Sequence, residues 1–450
     1  MHRKHLHNVR RYVMSKRKWK LRMVFWGGAI TIGAVAALFA IASFESDELF
    51  RSFYQSHPLL SLLLPPVGLV LIAVLTRYVF KGSEGSGIPQ AIASLNMPSS
   101  RSRSAILSIR VVVGKIILTC AGLLSGASIG REGPTVHIGA AIMYSLRRIA
   151  PFRGKDITRA LILAGGAAGI SAAFNTPLAG IMFAVEEMSR SFEERTSGIL
   201  LIAVILAGIT AISILGNYTY FGTSTATTTL IEAWPAILIC GVLGGFLGGS
   251  FSTLLMLLTR LIRNFAGRHP FSLALGCGLV LSLLGFLSGG QTFGTGYHEA
   301  QQIMTTDNQP DMMFAIYKYA ATIVSYLSGI PGGIFAPSLS IGAGMGASFS
   351  EMIPYVPVAI LAMLGMVGYF TGVAQTPLTA LIIVMEMTDN SSLLLPLMVT
   401  ALIAKGVSRW VCPRPIYQAM AEAYMDIIVN QDSSTVSKEK PIQKEEDKQQ

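Results

Sequence analysis

The stretch Met23–Phe44 carries no charged side chain over a length that crosses a bilayer, and it does not stand alone. Pro58–Thr76, Gly198–Leu215, Trp234–Leu257 and Ser272–Leu287 are of the same kind. Leu161–Val185 and Pro354–Met385 are also apolar but are broken by Gly and Pro. A helix needs about 20 apolar residues to span the hydrocarbon core. Roughly a dozen hydrophobic elements of that length would take up over half of the 450 residues. Inside lipid a helix satisfies its own backbone polar groups, whereas a barrel would need short alternating segments, and none are seen. The fold class is therefore an all-α polytopic membrane protein. Composition agrees: only 13% of residues are charged, against roughly 25% in a soluble domain, too few to cover a water-soluble particle.

Charge placement orients the chain. Residues 1–22 hold Arg3, Lys4, Arg10, Arg11, Lys16, Arg17, Lys18, Lys20 and Arg22 with no acid. A nucleic-acid surface is one reading of this patch. The positive-inside rule is the better one and keeps the segment in the cytoplasm. The apolar run that follows is too long for a signal-peptide core and lacks a clear cleavage site, so it reads as a retained first helix. Four regions result: a basic cytoplasmic segment 1–22, membrane halves 23–215 and 216–428, and a polar, disordered cytoplasmic tail 429–450. Cys120, Cys240, Cys277 and Cys412 show no metal spacing, and the seven histidines form no ligand cluster within the membrane region. Neither a metal nor a cofactor is expected.

The two halves echo each other about 200 residues apart. Asn175–Glu186 aligns with Gln375–Glu386, and Gly130–Ala140 aligns with Gly333–Ala343. Gly/Pro-interrupted helices at matching positions of two halves point to a transport site at the repeat interface. An odd number of spans per half would invert the second half. Glu132 then falls opposite Phe335, and the two helix starts meet from opposite sides.

Three Gly/Pro-rich segments sit where helices should begin: Gly85-Ser86-Gly87-Ile88-Pro89, Gly130-Arg131-Glu132-Gly133-Pro134 and Gly333-Ile334-Phe335-Ala336-Pro337. Proline suits the first helical turn, and glycine lets the backbone turn tightly and approach a ligand. A helix start offers free N–H donors and roughly half a positive charge, a ready anion site. Three converging at mid-membrane could hold a dehydrated anion and still release it, which a lysine there would hinder. Glu132 is the odd residue, because its carboxylate competes for the donors an anion would use. Intramembrane ionisable groups are functional by default, and the competing reading is a Glu132–Arg131 surface pair. Glu186 and Glu187 read equally well as headgroup carboxylates or as a second proton-handling site. Lys115, inside the apolar Val111–Leu118, reads as a buried positive field that helps anions enter, with snorkelling to the interface as the alternative.

These motifs, with Phe174–Gly180, Glu386–Asn390 and Tyr417 in Arg414–Tyr417, resemble the CLC family of chloride channels and chloride/proton exchangers, in order from about Gly82 to Tyr417. The resemblance implies about 18 tilted helices in two inverted halves and a homodimer with one pathway per subunit. It implies that Ser86 and Tyr417 coordinate the central chloride through their hydroxyls, joined by the backbone N–H groups of Ile334 and Phe335. It further implies that Glu132 is the external gate and Glu187 the internal proton glutamate. Ser86 matches chloride-selective members. The segment after the first loop, Gln90-Ala91-Ile92-Ala93-Ser94, lacks the acids that family exchangers often carry there. The chain looks like a bacterial, membrane-only form, placed in the inner (plasma) membrane with both termini cytoplasmic. Chloride/proton antiport is the leading expectation, and a passive channel on the same scaffold is the alternative. A membrane enzyme would need an acid cluster for metal–diphosphate binding or a nucleophile–base pair, and neither is present.

Overall fold

The structure, a computed structural model, describes residues 16–97, 99–149, 155–189, 194–306 and 313–439. The basic residues before Lys16 lie outside it. Among the described residues the chain is helical nearly throughout, and its strand-type pairing is confined to two isolated bridges, Gly85 with Pro331 and Gly130 with Gly333.

Eight helices are long and apolar enough to cross a membrane, among them Trp19–Ser56, Pro58–Tyr78, Gly198–Leu215, Leu230–Arg268 and Pro270–Leu287. The five uninterrupted runs read from the sequence all lie within these. The first helix, Lys16–Ser56, has 41 residues. At about 1.5 Å per residue it is roughly twice as long as a hydrocarbon core of about 30 Å, so it tilts or protrudes. The final helix runs Ile416–Glu439. Its backbone therefore stays helical past residue 429, where the tail was expected to begin, because Ala419, Met420, Ala421, Glu422 and Ala423 are good helix formers with no break after them. Residues 440–450 lie outside the described range.

The interrupted runs break where the repeat places them. Lys155–Phe174 ends at Asn175 and Val358–Ala374 ends at Gln375. Both are in the left-handed region, at φ 59° and 61°. Such a residue ends a helix, and the Thr-Pro that follows starts the next one, Pro177–Phe183 in one half and Pro377–Thr388 in the other. Asn175 is held by its side chain donating to the Tyr218 carbonyl at 2.9 Å, and Gln375 by donating to the Cys412 carbonyl at 2.5 Å.

Two short helices, Glu132–Ser145 and Phe335–Ala347, occupy the centre and are almost wholly buried. At 14 and 13 residues each is about 20 Å long, too short to cross the membrane, so each can start within it. Close glycine crossings hold them. A Cβ at Gly139 would run into the Gly165 carbonyl, and one at Gly342 would lie 2.6 Å from the Gly365 carbonyl oxygen. Small residues let helices pack backbone to backbone where lipid supplies no hydrophobic drive.

A candidate anion and proton pathway

The three Gly/Pro-rich loops come together. Gly130 and Gly333 exchange both backbone hydrogen bonds at 2.7 Å, as an antiparallel pair. The Gly332 N–H donates to the Gly85 carbonyl at 3.4 Å. Gly87, at φ 107°, abuts Gly133, where an added Cβ would lie 2.6 Å from the Gly133 carbonyl oxygen. A Cβ on Gly133 would in turn meet Ser86, whose carbonyl oxygen would be 2.8 Å away. Helices begin at Ile88, Glu132 and Phe335, each one or two residues past these contacts. Their first N–H groups, which have no intrahelical acceptor, are gathered in one place.

The side chains here are buried and lack partners. Ser86 Oγ, Tyr417 OH and both carboxylate oxygens of Glu132 are sealed from solvent with no hydrogen-bond partner of ordinary geometry. Buried polar groups are nearly always paired, so an unpaired set at one locus suits a ligand that supplies the missing contacts. The two hydroxyls can donate to an anion. The backbone N–H groups nearest the Glu132 carboxylate are its own and that of Ala336, so it sits at the start of the Phe335–Ala347 helix. Ile334 and Phe335 are 2% and 0% exposed. The Phe335 ring is backed by Phe370, Phe174 and Phe183, with centroids 4.2, 5.2 and 6.5 Å away.

Glu132 and Arg131 do not form a surface pair. Both are buried, and no ion pair joins them among the described residues. The Arg131 guanidinium donates to the Ala40 carbonyl at 2.6 Å and lies 5.8 Å from the Tyr220 ring centroid. It also lines a cavity of about 350 Å³ with Tyr218, Tyr220, Thr295 and Tyr297. Lys115 does not snorkel. It is fully buried, and its ammonium donates to the carbonyls of Ser83 at 3.0 Å, Glu84 at 3.4 Å and Gly85 at 2.8 Å. That contact fixes the carbonyls leading into the first loop.

The two adjacent acids separate in environment. Glu186 faces the other half: its carboxylate accepts from the Thr379 N–H at 2.8 Å and the Thr379 hydroxyl at 3.0 Å. Its repeat counterpart, Glu386, accepts from the N–H groups of Leu178 at 3.1 Å and Ala179 at 2.8 Å. Each acid thus caps the helix start of the opposite half. Glu187, carried on the π-helical turn Ala184–Ser189, is fully buried. Tyr417 lies within electrostatic range of both Glu187 and Glu132. Glu186 is partly buried and Glu187 fully so.

A sequence profile described as voltage gated chloride channel matches residues 68–409. The chain belongs to the CLC family. It is 31% identical over 354 residues to the H(+)/Cl(-) exchange transporter ClcA of Yersinia pestis, covering 75% of this chain and 72% of that protein. ClcA of Klebsiella pneumoniae is 28% identical over 439 residues, covering 92% and 91%. Among solved structures, a slow cyanobacterial Cl-/H+ antiporter superposes with a TM-score of 0.78 at 25% identity, covering 90% of this chain and 97% of that one. A CLC-type fluoride/proton antiporter superposes with a TM-score of 0.76 at 23% identity, over 88% and 96%, which bears on the fold alone.

Within this CLC chain, sequence reasoning missed three contributors. Gln90 is a cap: its side chain accepts from the Gly87 N–H and donates to the Glu84 carbonyl, both at 2.9 Å. Lys318, fully buried, donates to the carbonyls of Thr292, Phe293 and Gly294 at 2.9, 3.2 and 2.8 Å, repeating what Lys115 does. It leads into a fourth loop, Gly294-Thr295-Gly296, ahead of the helix Tyr297–Thr306. The signal was available, since Lys115 and Lys318 are spaced as Gly130 and Gly333 are. The fourth loop hid because His298 stands where the first loop has Pro89.

Proposed function

We propose that this protein is a secondary antiporter that exchanges chloride for protons through one pathway per subunit. The observation that carries this reading is the meeting of three helix starts around buried, unpartnered Ser86 Oγ, Tyr417 OH and Glu132 carboxylate. Chloride is held by the Ser86 and Tyr417 hydroxyls and by the N–H groups of Ile334 and Phe335. No lysine N–H is aimed at the anion there, because Lys115 donates to loop carbonyls. Binding stays weak enough to release. Glu132 in its charged form takes an anion's place at the start of the Phe335–Ala347 helix, where the nearest N–H groups are its own and that of Ala336. Protonation removes that charge, frees the donors for chloride and loads a proton. Glu187, buried near Tyr417, takes the proton toward the opposite face.

Support for exchange over a passive channel comes from the relatives named as H(+)/Cl(-) exchangers, from the cyanobacterial antiporter and from Glu187 itself. The family resemblance further supports a homodimer in the inner membrane with both termini cytoplasmic. The deciding experiment is flux in liposomes of the purified protein. A chloride gradient should drive protons uphill. Glu132→Gln should keep chloride flux and stop proton movement, and Glu187→Gln should do the same. Chloride flux that moves no protons in the wild type would leave a channel in place of an exchanger.

A further inference from the structure

Next to Tyr417, the side-chain amide of Gln418 donates to the backbone carbonyl of Glu187 at 2.8 Å, across 231 residues of chain. Glu187 is carried on the π-helical turn Ala184–Ser189. The adjoining residue on the same turn is tied separately, through the Glu186 carboxylate on Thr379 at 2.8 Å. The Glu187 segment is thus tied to the second half both at Thr379 and at the helix Ile416–Glu439 that presents Tyr417. The two neighbours Tyr417 and Gln418 reach the two ion routes: a buried hydroxyl at the anion site, and an amide on the backbone of the proton carboxylate.

We infer that Gln418 is a positioning residue for ion coupling, holding the Glu187 segment in register with the Tyr417 hydroxyl so that proton transfer stays tied to chloride occupancy. It touches neither ion. The inference rests on the exchanger reading above. Because Gln418 bonds to main chain, its loss removes neither carboxylate and neither hydroxyl, but it frees the turn that carries Glu187 to shift. Small displacements of a reacting group are costly, up to about a hundredfold for roughly 1 Å.

The test compares the wild type with Gln418→Leu and Gln418→Met in liposomes. Methionine keeps the length of the side chain and has no N–H to donate. Proton flux should fall by about ten- to a hundredfold, while chloride exchange continues and chloride affinity by calorimetry stays at the wild-type value. A residue with a merely structural role would lower both fluxes together, and that result overturns the inference. Wild-type proton-to-chloride ratios in the variants overturn it too. If Gln418→Leu fails to fold, Gln418→Met decides alone by the same two readouts. Should the wild type move no protons, the exchanger reading falls and takes this role with it. Coupling intact in the wild type and undiminished in the variants removes Gln418 alone.

Discussion

Gly130 and Gly333, matched by the internal repeat, are bonded to each other, the N–H of each donating to the carbonyl of the other at 2.7 Å. The antiparallel pair puts the Glu132 loop and the Phe335 loop back to back. It also leaves no room beside Gly130, where a Cβ would run into the Glu132 carboxylate. Gly130→Ala should therefore displace the carboxylate and spare the backbone bonds, since keeping both would cost about 1–3 kcal/mol of overpacking. Expected is chloride efflux that no longer depends on pH, with proton coupling reduced about tenfold or more. Efflux from liposomes at two pH values checks it, and unchanged pH dependence would show that the carboxylate stays in place.

Tyr417 OH has no partner to lose among the described residues, so Tyr417→Phe should fold as the wild type does. What it removes is a donor to the anion. A hydrogen bond to a charged group contributes about 1.5–3 kcal/mol, which corresponds to roughly ten- to a hundredfold weaker chloride binding. Isothermal calorimetry on purified protein measures this directly, and an unaltered affinity would take Tyr417 out of the site.

The uninterrupted spans, the interruption of Leu161–Val185 and Pro354–Met385 and the meeting of the Gly/Pro-rich loops could be read before any coordinates, because each rests on a local rule. Charge-free length marks a span, Gly and Pro inside an apolar run mark an interruption, and matching Gly/Pro loops in a repeat mark a shared interface. The fates of Glu186 and Glu187 could not be read. They are neighbours, and which one caps Thr379 and which one is buried depends on how the π-helical turn Ala184–Ser189 is aimed by tertiary contact. The reach of Lys115 was equally hidden, since Val111–Leu118 has no marker of depth and the three acceptors of the ammonium lie 30 to 32 residues away.

Glu186 and Glu386 cap each other's halves, and their substitution should test the repeat interface rather than the transport site. Replacing either by Gln removes a charged acceptor from backbone N–H groups, at about 1.5–3 kcal/mol each. Both clasps close the same pair of helices, Pro177–Phe183 and Pro377–Thr388. Breaking one should loosen the other, so the double variant should lose less than the sum of the single losses. Unfolding in detergent measures the three changes, and strict additivity would mean that the clasps act independently.

Lys115 and Lys318 offer a controlled comparison, because each buried ammonium holds three consecutive carbonyls ahead of a glycine loop. Methionine at either position fills similar space and orphans those acceptors, at about 1–3 kcal/mol for each carbonyl left unpaired. Both variants should therefore be less stable. Both loops carry a hydroxyl after the held carbonyls, but the Thr295 hydroxyl accepts from the Tyr297 N–H at 3.2 Å, whereas Ser86 Oγ lies buried beside Gly133 with no partner among the described residues. Lys115→Met should weaken chloride binding by about tenfold, or about 1.4 kcal/mol, on top of its stability loss. Lys318→Met should lose stability and bind chloride as the wild type does. Calorimetry and thermal unfolding on both proteins separate the effects. Equal chloride affinity in the two variants would show that Lys115 supports the fold without setting the geometry of the Ser86 loop.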